Sequence, residues 1–103
     1  MIDPSERAWT AGLYEEGGRG WLQDLKENEP ARKAYKAGEW NTMRVECRGD
    51  QIRTWLNEVP AATLRDDRVM AGFIGLQVHA VKEPREAEVR FRNLRLKELQ
   101  GTP

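Results

Sequence analysis

Arg53 and Trp55 stand two residues apart in IRTWLNEVPAA (52–62), and Gln77 and His79 stand two apart in GFIGLQVHA (72–80). In an extended chain that spacing puts both members of a pair on one face of a strand. Tyr14, Arg19 and Trp21 flank a glycine-rich stretch, EEGGRG (15–20). These seven residues are the candidate binding set. Flat aromatic rings suit the apolar C–H side of a sugar ring, and amide and guanidinium groups suit its hydroxyls. Each has a plainer alternative. Trp55 on a half-exposed strand can be a packing residue, and His79 reads as a hydrogen-bonded strand residue rather than a general acid or base. Trp40 reads as core.

Hydrolysis of a glycosidic bond by the usual route needs two carboxylates on opposite sides of that bond. No such pair stands out. Glu15 and Glu16 read as solvated loop residues, and Glu46 and Glu88 fall on different strands with nothing in the sequence to bring them together. The catalytic residues are therefore left unassigned. EEGGRG matches neither GxGxxG nor a Walker pattern, so it is not read as a phosphate cradle. The chain has one cysteine, Cys47, and one histidine, His79. An internal disulfide and a multi-histidine or multi-cysteine metal centre are thereby excluded within one chain, and no cofactor or metal is expected.

The elements that must position these residues are mostly short strands. TAGLY (10–14) is a strand candidate, and EEGGRG is a loop. NEPARKAYKAG (28–38) predicts a short helix, with Asn28 as N-cap, Pro30 in the first turn and Gly38 as the stop. From Glu39 the pattern has period two. Met43, Val45 and Cys47 share one side of a strand, with Thr42, Arg44, Glu46 and Arg48 on the other. Gly49-Asp50 turns the chain. The next strand carries Ile52, Thr54 and Leu56 on one side and Arg53, Trp55 and Asn57 on the other, and VPAATL (59–64) pairs back. GFIGLQVHA (72–80) and AEVRFRNLRLKEL (87–99) are the last two strand candidates. The second slips phase around Asn93, which suggests a bulge. Short antiparallel strands with turn signals predict an all-β sandwich or jelly roll, with one short helix, over a single domain of 103 residues.

Charge is balanced, with 17 basic and 17 acidic side chains. A nucleic-acid backbone binder would carry a basic excess, so none is expected as partner. There is no apolar run of membrane-spanning length and no signal-peptide pattern at MIDPSERAW, so no membrane association is expected either.

GLYEEGGRGWL, AGEWNTMRVECRGDQIRTWLNEVPAA, GFIGLQVHA and EVRFRNLRLKEL, in that order, resemble the 3-keto-disaccharide hydrolase domain family. The likeness runs from Thr10 to Leu99. It implies a concanavalin A-like lectin/glucanase fold with a sugar lying across the concave sheet, and a family that is usually exported. The resemblance implies the sugar chemistry; the spacing of residues does not show it. The function expected is a carbohydrate-binding, glycoside-hydrolase-like module. The alternatives are an assembly module using its sheet face for protein contacts, and a hydrolase completed across two chains. Two departures stand out. Glu58 occupies a turn position where the family has Gly, and a two-residue type I′ turn needs positive φ there, which strains Glu. The likeness also begins in mid-domain, so the sandwich is expected to be partial. Met43, Val45, Ile52, Leu56, Ile74, Leu76, Val78 and Phe91 then need an apolar cover, which predicts a homodimer completing the sandwich.

Overall fold

A computed structural model of the chain describes residues 1–2, 7–15, 17–66, 75–76 and 90–98. The described elements are β1 (Leu13–Glu15), β2 (Gly20–Gln23), α1 (Glu29–Ala34), β3 (Met43–Arg48), β4 (Gln51–Leu56) and β5 (Val59–Arg65). Among the described residues all strand pairing is antiparallel: a two-stranded sheet β1-β2, and a three-stranded sheet in the order β3-β4-β5. The fold is all-β with one short helix, a partial sandwich as the sequence predicts. The chain divides into two compact units, Met1–Met70 and Ala71–Pro103. The first holds every element above.

Two tight turns set the register of the larger sheet. Gly49, with φ of 55°, and Asp50 connect β3 to β4, so Arg48 pairs with Gln51, Glu46 with Arg53 and Arg44 with Trp55. Asn57 and Glu58 connect β4 to β5 with φ of 49° and 69°, the double positive φ of a type I′ turn. Glu58 thus holds the strained conformation expected of it. Asn57 does more than tolerate its own. Its side-chain Nδ2 donates to the Ala34 carbonyl at the end of α1 and to Asn41 Oδ1. Its Oδ1 accepts from the Thr42 amide, and its own amide donates to the Thr42 carbonyl.

The helix forms where it was expected but is shorter. Asn28 Oδ1 accepts from the Ala31 amide as an N-cap, and Pro30 sits in the first turn. Asn28 Nδ2 donates to the Pro60 and Ala61 carbonyls, which fastens α1 to β5. Helical geometry ends at Ala34, and the chain runs on to Gly38, whose φ is 73°.

Opposed residues of an antiparallel pair point the same way, so Met43, Val45, Cys47, Ile52, Thr54 and Leu56 share one face. The buried core on this side comprises Leu56, Ala61 and Ala62 with Ala11, Leu25 and Ala31 above them, and Trp9, Leu13, Tyr35 and Val59 at its margin. The cover stops short of β3. Val45 is 56% exposed, and Met43 and Cys47 are also exposed. A helix about 10 Å wide spans roughly two strands spaced at about 4.8 Å, so α1 over β4 and β5 leaves the third bare.

Other expectations need correction. Met43, Val45, Leu76 and Phe91 are exposed and so have no cover within the single chain, whereas Leu56 is sealed and Ile52 half-buried. Trp40 is exposed rather than core, because β3 begins only at Met43 and leaves it in the preceding loop. Residues 90–98 form no strand. Asn93, at the phase slip, has φ of 56°, which interrupts an extended run, and Leu94 and Leu96 are exposed. Ile74 and Val78 lie outside the described residues. Among those residues no helix is long and apolar enough to cross a membrane.

Candidate site on the outward face of the sheet

The face of β3-β4-β5 opposite the core carries Arg44, Glu46 and Arg48 on β3 and Gln51, Arg53 and Trp55 on β4. Three arginines converge on one carboxylate. Arg53 donates to Glu46 Oε1 at 2.6 Å, Arg48 Nε to Oε1 at 3.1 Å, and Arg44 to Oε2 at 3.3 Å. Glu46 is 9% exposed although it stands on the outward face, so its cover is the arginine side chains themselves. The Arg53 hydrogen bond, and then that of Arg48, hold its carboxyl below the ordinary glutamate range. Trp55 lies among the same groups, with the Arg44 guanidinium 4.8 Å and that of Arg53 5.5 Å from its ring centre. Both distances are within cation–π reach.

The hairpin β1-β2 builds a second aromatic group. Trp21 meets Trp9 at 5.1 Å and Tyr14 at 5.2 Å between ring centres, edge to face in both cases. The Arg7 guanidinium lies 4.2 Å from the Trp9 ring and 5.3 Å from the Trp21 ring. Gly12 makes room for this packing: a Cβ there would lie 2.9 Å from the Trp21 ring and 3.0 Å from the Trp9 carbonyl.

The candidate residues thus separate into groups. Arg53 and Trp55 share a face and touch. Tyr14 and Trp21 also touch, but Trp21 is a packed ring held between two others. Arg19 is committed to a structural tie: it binds Glu15 through two side-chain donors and reaches Asp66 just beyond β5. Gln77 and His79 lie outside the described residues. Among the described residues no cluster of histidine, cysteine and acidic side chains could hold a metal ion.

The model of one domain family, described as the 3-keto-alpha-glucoside-1,2-lyase-like domain, matches residues 1–97. The chain belongs to this family. It is the one that the motifs of the sequence resemble. No curated protein matches the chain significantly.

For a member of the 3-keto-alpha-glucoside-1,2-lyase-like family, the arrangement sorts binding groups from reacting ones. A half-buried ring with two guanidiniums beside it offers contact groups without an acid or base. Glu46 is a poor proton acceptor, because it is held ionised and both oxygens already accept hydrogen bonds. Sequence reasoning passed over Arg44, Glu46, Arg48, Arg7 and Trp9 as participants. The first three were within reach. A two-residue turn at Gly49-Asp50 dictates which residues oppose each other, and opposed pairs share a face. Arg7 and Trp9 fall in the irregular lead-in, where no periodicity gives their direction.

Proposed function

We propose that this chain is a carbohydrate-binding module of the 3-keto-alpha-glucoside-1,2-lyase-like family, and that a saccharide binds across the outward face of β3-β4-β5. The observation that supports this most is the half-buried Trp55 ring with Arg44 and Arg53 beside it on the face away from the core. Such a surface offers an aromatic plane for C–H groups and guanidinium donors for hydroxyls. Tyr14, 41% exposed at the β1-β2 hairpin, is the further aromatic of the candidate set. Intrinsic tryptophan fluorescence titrated with a panel of neutral and 3-keto glucosides tests the reading. Saturable quenching at millimolar sugar, reduced at least about tenfold in affinity in Trp55→Ala, is expected. No response to any sugar would count against it.

A second reading, an assembly module, is favoured by one specific feature: the row Met43, Val45 and Cys47 is exposed on β3, an edge strand among the described residues. An apolar edge of this kind suits pairing with a second copy. The expected product is a symmetric homodimer that covers β3 from both chains and buries more than about 2,000 Å² in total. Sedimentation equilibrium at micromolar concentration decides. A cooperatively folded species of 11.9 kDa would rule the dimer out.

A further inference from the structure

We propose that the saccharide taken by the outward face is acidic, a glycan carrying a uronate carboxylate. The inference rests on the carbohydrate reading above and names the substrate class of that same site.

Three guanidiniums gather around one carboxylate, which leaves an excess of two positive charges at Glu46. The neighbouring Asp50 does not offset it, because its Oδ1 is taken by Arg65 at 2.9 Å. Nor are the donors used up. A guanidinium carries five N–H donors, and Arg44, Arg48 and Arg53 each give one hydrogen bond to Glu46. Their side chains remain 67%, 51% and 40% exposed. Glu46 keeps the three like charges together, with their remaining donors turned to solvent. A carboxylate matches that planar fork in a bidentate way that a neutral hydroxyl does not.

The geometry also separates the roles of the arginines. Arg53 makes the shortest bond to Glu46 and acts as the anchor. Arg44 is the most exposed and makes the longest bond, at 3.3 Å. It is the arm able to leave Trp55 and meet the ligand while the sugar ring takes its place on the indole. Gln51 pairs with Arg48 on the same face and adds an amide for a ring hydroxyl.

Calorimetric titration of the whole chain with a galacturonate oligosaccharide, its fully methyl-esterified form and inorganic sulfate tests the proposal. The acid is expected to bind at least about tenfold tighter than the ester at low salt, with that margin shrinking as salt rises. Arg44→Gln and Arg48→Gln, both at exposed positions, should each lower affinity for the acid by a larger factor than affinity for the ester, and so reduce the margin. Equal affinity for acid and ester would overturn the proposal and leave the carbohydrate reading standing. Sulfate binding as tightly as the acid would overturn it by showing a bare anion site. No binding of either saccharide would overturn this proposal, and the glucoside titration above would then decide the carbohydrate reading by itself.

Discussion

Thr54 shows how one hydroxyl can hold three segments. It is buried, donates to the Ala11 carbonyl at 2.7 Å, and accepts from the Ala62 amide at 3.0 Å. Ladder pairing slips at this point, between Arg53 and Trp55, so the β4 side chain supplies a partner to the β5 backbone where the ladder does not. Thr54→Val keeps the shape but strands both backbone groups in the core. It should cost about 1–3 kcal/mol in denaturant unfolding, and a loss under about 0.5 kcal/mol would show that the two groups find other partners. Sequence parity placed Thr54 inward, correctly. It gave no sign of the slip, because a bulge leaves the apolar pattern of Ala61 and Ala62 looking like an ordinary strand. Parity also placed Glu46 outward with Arg44 and Arg48 of its own strand, but it said nothing of Arg53, which comes from cross-strand pairing rather than from spacing along the chain.

The hairpins were the most legible elements, since Gly49-Asp50 and Asn57-Glu58 fix both connections of the larger sheet. Glu58 is the local conflict. At φ of 69° a Cβ is strained and glycine is not. Glu58→Gly is therefore expected to raise stability by roughly 0.5–1 kcal/mol, the relief of strain exceeding the added freedom of the unfolded chain. Thermal unfolding checks the sign, and a lower melting temperature would mean the Glu58 side chain contributes more than its backbone loses. The β2 strand was not legible, because Trp21 and Leu22 leave a glycine-rich loop without any run of alternation. The helix was read too long: Tyr35, Lys36 and Ala37 have adequate propensity, but Asn57 and Asn41 take up the backbone groups that a further turn would need.

At the scale of the whole molecule, the clustered charge ties stability to pH. Glu46 has a folded pKa below its ordinary value, owing first to the Arg53 hydrogen bond and then to that of Arg48. A carboxyl of this kind adds stability above its unfolded pKa, near 4.3, and loses that contribution as pH falls through the lower folded pKa. Glu46→Gln should thus be less stable than the parent at neutral pH. The two stabilities should converge only as pH falls through the lowered folded pKa of Glu46, where the parent too comes to carry an uncharged side chain. A gap constant across the titration would show that packing, not charge, is what Glu46 supplies. The Glu29–Lys33 pair is far more exposed and screened, and it adds little to this dependence. The family was legible as a whole because its motifs are runs of sequence. The extent of the core was not, since which strands lie under cover depends on the reach of α1 and the β1-β2 hairpin in space.

The Asn57 side chain, joined to Ala34, Asn41 and Thr42, has an implication for how this surface can vary over generations. Asn41 in turn holds Lys36 and Glu39 through their backbone. A change at Asn41 takes an acceptor from Asn57 Nδ2, and a change at Asn57 takes from Asn41 Oδ1 one of its two donors, whereas the Glu58 side chain next door has no hydrogen bond in this network. Positions 41 and 57 should therefore drift as a linked pair among related chains, with position 58 substituted independently of both.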